Sequence, residues 1–289
     1  MRKELIRFSK YHGCGNSFVI TDESKLPSSF EEKDMSRLAE EICCLNTGVG
    51  ADGFIVVRQE PELEMVFFNM DGSRAPMCGN GIRCFAHYCR DNDIMTGRSY
   101  PVRTLAGTMN VEVVGEDPFS VRINMGKPVF SGEAIASDIP DNELTNVSIG
   151  LCDGSMIEAV SMFMGTVHTV VTVDELEDET VENTGREICN HPLFREKTNV
   201  NFVKPIDDKT IAVRTYERGV GVTPACGTGA CASVIAAGLR GLCGREVSVE
   251  LPLGRLMISL ADDGSVYMEG PSVKVADGEF YRERKESII

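Results

Sequence analysis

At 289 residues, with 42% hydrophobic and 25% charged residues, the chain has the composition of a folded globular protein and not of a disordered or fibrous one. Its length exceeds a comfortable single core and points to two domains. A net charge of −15 argues against a nucleic-acid surface, yet leaves room for an anion site built from backbone N–H groups.

The segment Met1 to Arg7 lacks the apolar stretch of an export signal, and no run approaches the roughly 18 apolar residues of a transmembrane helix. The expected location is the cytoplasm, with no membrane partner. In the first half, strands are predicted at Leu5 to Ser9, Ser17 to Thr21, Gly53 to Arg58, Glu64 to Asn69, Tyr100 to Leu105, Thr108 to Val114 and Ser120 to Met125. Between them, Glu31 to Cys43 carries helical spacing through Met35, Leu38, Ala39 and Ile42, and Ile82 to Asp91 reads as a second helix. The second half repeats this order. Strands are predicted at Asn146 to Leu151, Ser155 to Met164, Thr169 to Val173, Asn199 to Pro205, Thr210 to Tyr216, Glu246 to Leu251, Gly254 to Ala261 and Ser265 to Glu269, with helices at Val181 to Asn190 and Ala230 to Leu242.

Each half therefore has many strands, one peripheral helix and one helix behind a glycine-rich turn, as a duplicated domain leaves them. The boundary is placed near Lys127-Pro128, giving domains at 1–127 and 128–276, with 277–289 returning to the first. The fold class is α/β (α+β), with two pseudo-symmetric strand-rich domains and the active site in the cleft between them.

The glycine-rich turns are the most informative local feature. Met77-Cys78-Gly79-Asn80-Gly81-Ile82-Arg83-Cys84 and Ala225-Cys226-Gly227-Thr228-Gly229-Ala230-Cys231-Ala232 each put a cysteine ahead of Gly-x-Gly and then a helical run. The first turn of a helix offers unpaired N–H groups and the positive end of the dipole, which bind carboxylate or phosphate. A thiol there ionises more readily, with a pKa falling from about 8.5 to roughly 3.5–7.5. Two such thiols on opposite faces of a carbon beside one bound carboxylate supply the acid and base of a racemisation. Because the turns follow cysteines, they read as carboxylate cradles and not phosphate loops.

Eleven cysteines, an odd number in a long chain without an export signal, read as reduced thiols and not as a disulfide framework. No CxxC pair occurs, so no metal site is expected. Most of Cys43, Cys44, Cys84, Cys89, Cys231 and Cys243 read as small buried hydrophobes.

Other polar clusters fall where strands end. Tyr11 to Phe18 is a glycine-punctuated turn that can present the Asn16 amide, or an ordinary tight turn. Phe68 to Ser73 is a turn whose Asx side chains, Asn69 included, more often bond their own backbone. Glu217-Arg218, just before Cys226, is either a structural ion pair or a holder of ammonium and carboxylate. His168 is either a satisfied turn histidine or a general acid/base partner of a thiol.

Together these segments resemble the diaminopimelate epimerase family over essentially the full chain. The resemblance rests on Lys10 to Val19, Gly48 to Gly53, Phe68 to Ser73 with Met77 to Cys84, and Tyr216 to Cys231. It implies a cofactor-independent amino-acid epimerase with barrel-like domains, each around a central helix, and a homodimer acting on a small-molecule amino-acid substrate. Cys78 and Cys226 match the family's two catalytic bases, and His168 and Glu217 the polar residues flanking them. Asn16 matches a residue at the reacting centre. Asn69, Asn199 and Arg218 match contacts to the distal end of diaminopimelate, while Gly79-Asn80 and Gly227-Thr228 match the cradle of the reacting carboxylate.

Four positions depart from the pattern. The family reads Gly-Asn-Pro-His where this chain has Gly165-Thr166-Val167-His168, placing Thr166 where a distal-carboxylate ligand is usual. Val222 replaces a glutamate and Ser17 an aspartate. The leading expectation is conversion of LL- to meso-diaminopimelate in lysine biosynthesis. The rivals are racemisation of another polar amino acid, histidine for example, on the same scaffold, and a redox-active thiol protein.

Overall fold

The computed structural model describes residues 3–283. The chain divides into two compact units, one running to Val121 and resuming at Pro271, the other spanning Arg122–Gly270. The final stretch 284–289 of the segment expected to return to the first domain lies outside the described residues.

The first unit contains β1 (Lys3–Gly13), β2 (Asn16–Asp22), α1 (Glu32–Cys43), β3 (Gly53–Arg58), β4 (Glu64–Asn69), α2 (Gly79–Asp91), β5 (Ser99–Thr104) and β6 (Gly107–Glu116). β7 (Phe119–Asn124) carries the chain across the division. In the second unit come β8 (Val147–Gly150), β9 (Met156–Phe163), β10 (Val167–Thr172), α3 (Asp178–Cys189), β11 (Asn199–Asp207), β12 (Thr210–Glu217), β13 (Gly221–Thr223), α4 (Gly227–Leu239), β14 (Glu246–Leu251), β15 (Gly254–Leu260) and β16 (Val266–Pro271). β17 (Val273–Glu283) returns to the first unit, antiparallel to β1 with Leu5 opposite Tyr281.

The two units share one wiring. β1 and β2 pair antiparallel, β2 and β3 parallel across α1, β3 and β4 antiparallel, and β4 and β5 parallel across α2. The second unit repeats this as β9 and β10 antiparallel, β10 and β11 parallel across α3, β11 and β12 antiparallel, and β12 and β14 parallel across α4. Parallel pairs need a crossover, and the helices supply it.

In each unit the two helices pack on opposite faces of the sheet. α1 presents Met35, Leu38, Ala39 and Ile42 to Val19, Phe54, Val56, Val66 and Phe68. The i, i+3, i+4 spacing of those four residues forms the apolar stripe that predicts the helix. Alternate residues of the same strands, Phe18 and Ile55, face α2 at Gly81. That double coverage explains why β3 is an unbroken apolar run and does not alternate. α3 likewise packs Val181, Ile188 and Cys189 on Val167, Val171, Val200 and Phe202. α4 touches β10, β11, β12, β14 and β15, and its sequence is apolar around its circumference, as a central helix requires.

None of the eleven cysteines is in a disulfide. Cys43, Cys84, Cys89 and Cys231 are buried, while Cys44 and Cys243 are half-buried. Among the described residues no helix is long and apolar enough to cross a membrane.

Candidate active site

The first half-site begins with a hairpin. Cys14 and Gly15 both have positive φ, 55° and 91°, between the paired residues Gly13 and Asn16. Two central residues with φ > 0 make the turn whose twist matches antiparallel strands, and glycine adopts it without strain. The turn delivers Asn16 to the start of β2, beside α2. Cys78 is the N-cap of α2, extended at φ −137° and ψ 122°, and its Sγ accepts from the Gly81 N–H at 3.4 Å. Asn16 Oδ1 lies 3.9 Å from the same sulfur and accepts from Asn80 Nδ2 at 3.2 Å. Asn16, Cys78, Gly79 and Asn80 are thus brought together.

A buried arginine holds this arrangement from below. Arg83 donates Nη1 to the Gly79 carbonyl at 3.1 Å, Nη2 to Asn80 Oδ1 at 3.1 Å, and Nε to the Pro271 carbonyl at 3.2 Å. Guanidinium has five donors in a planar fork, so one residue can tie the helix start, its side-chain amide and the segment entering β17. Asn69 is at the exposed end of β4, where its amide donates to Ser73 Oγ at 2.9 Å. Asp71 makes the Asx turn there, accepting from the Ser73 N–H. Ser17, where the family has aspartate, donates its backbone N–H to Asp52 Oδ2 at 2.7 Å.

The second half-site uses the same device. Cys226 is the N-cap of α4, at φ −122° and ψ 110°, with the Gly229 N–H donating to its sulfur at 3.4 Å. Thr228 Oγ1 is 3.5 Å from Cys226 Sγ and 3.0 Å from His168 Nε2, and His168 Nδ1 is 3.0 Å from Asn201 Nδ2. Thr215 Oγ1 closes the chain on Asn201 Oδ1 at 3.0 Å.

His168 is a fully buried strand residue of β10 and not a turn residue, and its Nε2 meets the Thr228 hydroxyl that lies beside Cys226 Sγ. Burial, with a smaller effect of the Arg218 cation, pushes the pKa of His168 down to about 3, which favours the neutral ring.

Asn199, Arg218 and Thr166 form a third cluster in the same unit. Asn199 Oδ1 accepts from the Arg218 N–H at 2.9 Å, while the guanidinium donates to Thr166 Oγ1 at 3.1 Å and to the Glu196 carbonyl at 3.0 Å. Arg218 does not pair with Glu217, which accepts instead from Thr223 Oγ1 at 2.5 Å. Among the described residues Arg218 has no carboxylate partner, which leaves its charge available to an anionic ligand. Val222, where the family has glutamate, is exposed on β13.

Arg83 and Asn201 carry no prominent local signal. The clue to Arg83 is a charge inside the apolar face of α2. The clue to Asn201 is an amide on the α4-facing side of β11, where Phe202 alternates toward α3. Among the described residues no group of three or more His, Cys, Asp or Glu side chains is arranged to hold a metal ion.

Each half-site is thus a helix start with a cysteine cap, able to hold a carboxylate on backbone N–H groups beside a sulfur. Solved structures share the fold. A hydroxyproline epimerase from Agrobacterium vitis aligns with TM-score 0.68 at 13% identity, covering 97% of this chain and 94% of its own. A Bacillus anthracis phenazine biosynthesis protein of the PhzF family aligns with TM-score 0.65 at 17% identity, covering 96% and 99%. Sequence relatives are nearer. Diaminopimelate epimerase of Alkaliphilus metalliredigens is 39% identical over 277 residues, covering 94% of this chain and 96% of its own. That of Halothermothrix orenii is 40% identical over 282 residues, covering 94% and 97%. The model of the diaminopimelate epimerase family matches residues 8–131 and 160–275, and the chain belongs to that family.

Proposed function

We propose that the protein epimerises LL-diaminopimelate to the meso form without a cofactor, by a two-base mechanism in which Cys78 and Cys226 act on opposite faces of the α-carbon. The observation that carries this reading is the duplicated cysteine cap: two sulfurs, each receiving a helix-start N–H at 3.4 Å, in a chain of this family. One cysteine as thiolate takes the α-proton and the other as thiol gives a proton to the opposite face, so the pair ends with its charge exchanged. The N–H groups of Gly79-Asn80 and Gly227-Thr228 suit the carboxylate, and they stabilise the negative charge that spreads onto it as the proton leaves. The guanidinium of Arg218, set by Thr166 and Glu196, suits the distal carboxylate.

A second reading is racemisation of another polar amino acid, favoured by Thr166, whose single hydroxyl already engages Arg218 where the family places an amide. Proton NMR of the reduced enzyme in D2O separates the two. Loss of the α-proton signal is expected for LL-diaminopimelate and not for the common amino acids tested in parallel. Exchange of another amino acid alone overturns the substrate assignment. Cys78→Ser and Cys226→Ser are each expected to cut turnover about 10²- to 10⁴-fold, the contribution of a positioned acid or base. Near-normal epimerisation by either variant sinks the two-thiol mechanism.

A further inference from the structure

The first unit holds a polar cavity at the end of α2 remote from Cys78. Its volume is about 460 Å³, within the range of small-molecule sites, and it opens between β1, β17, the C-terminus of α2 and the short turn after β2. All of its lining belongs to the first unit. α2 runs 13 residues from Gly79 to Asp91, so about 20 Å of helix separates this cavity from the cysteine cap. We propose that the cavity binds a net-neutral, zwitterionic amino acid, with its carboxylate on Lys25 and its ammonium on Asp277 and Glu279.

The charges that line the cavity balance: Arg7, Lys25 and Lys274 face Asp91, Asp277 and Glu279. A ligand with a net charge meets as many like groups as unlike ones, whereas a dipolar ligand can set each end against its opposite. Lys274 is already engaged, since its ammonium lies 3.0 Å from Asp277 Oδ2 and 3.5 Å from Asp91 Oδ2. Lys25 is not. Its ammonium donates to the Tyr88 hydroxyl at 2.8 Å and to Asn92 Oδ1 at 3.2 Å, both neutral, and among the described residues no carboxylate pairs with it. Lys25 is therefore the cation left to take a ligand carboxylate.

The ammonium end has acceptors to spare. Among the described residues the ion pair of Glu279 is with Arg7, at 3.4 Å and exposed on both sides, a kind of pair that contributes little. Asp277 accepts from Ser9 Oγ at 2.6 Å and from Lys274, and a carboxylate has about four acceptor sites. Opposite Ser9 and Arg7 in the β1 ladder, these two acids are alternate residues of β17 and share one face of the strand.

Both lysines rest on a buried aromatic platform. Lys25 Nζ is 5.2 Å from the centroid of Tyr88 and Lys274 Nζ is 5.9 Å from that of Tyr11, while the two rings meet edge-on at 6.3 Å. The Tyr11 hydroxyl is fixed in turn by donating to Asp91 Oδ2 at 2.7 Å. The negative end of the α2 dipole favours ammonium groups at this position. A cation held in place beforehand loses little freedom when a ligand arrives.

The test is isothermal titration calorimetry of the reduced, full-length protein at neutral pH with glycine, L-alanine and L-glutamine, and with acetate as the carboxylate alone. Saturable binding of at least one of the three amino acids is expected, tighter than that of acetate. Lys25→Met is expected to weaken it about tenfold, as for loss of a hydrogen bond to a charged group, while Lys25→Arg, which keeps the charge, retains it. Glu279→Gln is expected to weaken the amino acid and leave acetate unchanged. Binding undiminished in Lys25→Met places the ligand elsewhere and overturns the site. Acetate binding as tightly as the amino acids overturns the zwitterion assignment, and no saturable binding of any of the three amino acids overturns the proposal outright.

Discussion

The complete burial of His168 ties the fold to pH. Burial holds its pKa at about 3 in the folded protein, against about 6.5 in an unfolded chain. Between those values the unfolded chain binds a proton that the folded chain refuses, so the unfolded state binds more protons and stability rises with pH. The contribution is complete above the unfolded value and is lost progressively as the pH falls toward the folded one. His168→Gln removes the titration and retains an amide that can donate to Thr228. The expected result is that the urea midpoint of the wild type falls more than that of the variant between about pH 7 and about pH 4. Equal falls would assign the acid sensitivity elsewhere. The same residue marks the limit of local sequence: Gly165 to His168 reads as a turn, but the parallel pairing of His168 with Asn199 depends on a segment beyond α3.

Among the elements, the two cysteine-capped helices show where periodicity stops being informative. Apolar spacing predicts starts at Ile82 and Ala230, but α2 begins at Gly79 and α4 at Gly227. Glycine has poor helix propensity and no side chain to mark a face, so only the cysteine caps and the packing fix these first turns. The glycines also permit close approach. A Cβ at Gly229 would lie 2.3 Å from Asn201 Oδ1 and 3.2 Å from Cys226 Sγ, whereas at Gly81 it would lie 3.3 Å from Cys78 Cβ and Ile55 Cδ1. Gly229→Ala must therefore break the Asn201 to His168 chain or shift the helix start, while Gly81→Ala needs only a small adjustment. Overpacking of this kind costs typically about 1–3 kcal/mol. The expected outcome is a larger loss of both melting temperature and epimerisation rate for Gly229→Ala than for Gly81→Ala, checked by thermal unfolding and the D2O exchange assay. Strands with steady apolar content, β3, β4 and β14, fall where their sequences predict. β13, three residues long, and β17, with Gly278 and many charges, have no such pattern and are made by their partners β12 and β1.

For the molecule as a whole, duplication is legible because the repeated order of strands and helices survives even where the local residues have diverged. What the repeat does not reveal is that the units differ in chain continuity. The second is one uninterrupted stretch, Arg122–Gly270, with its own apolar cluster from Ile135 to Phe202. The first is split, and its strand β17 is drawn from the far end of the chain to lie along β1 from Lys3 to His12. Without β17, the β1 edge is exposed and Arg83 loses the Pro271 carbonyl, one of its anchors beneath the Cys78 helix. A buried charge stripped of a hydrogen bond is costly, and an open edge strand invites association. A fragment of residues 122–270 is thus expected to unfold cooperatively in urea by itself. Residues 1–121 alone are expected to aggregate or unfold without a transition, and to regain a cooperative transition when the strand 271–283 is linked back. A cooperative 1–121 fragment would mean that α1, α2 and their strands hold the Cys78 half-site without help from the end of the chain.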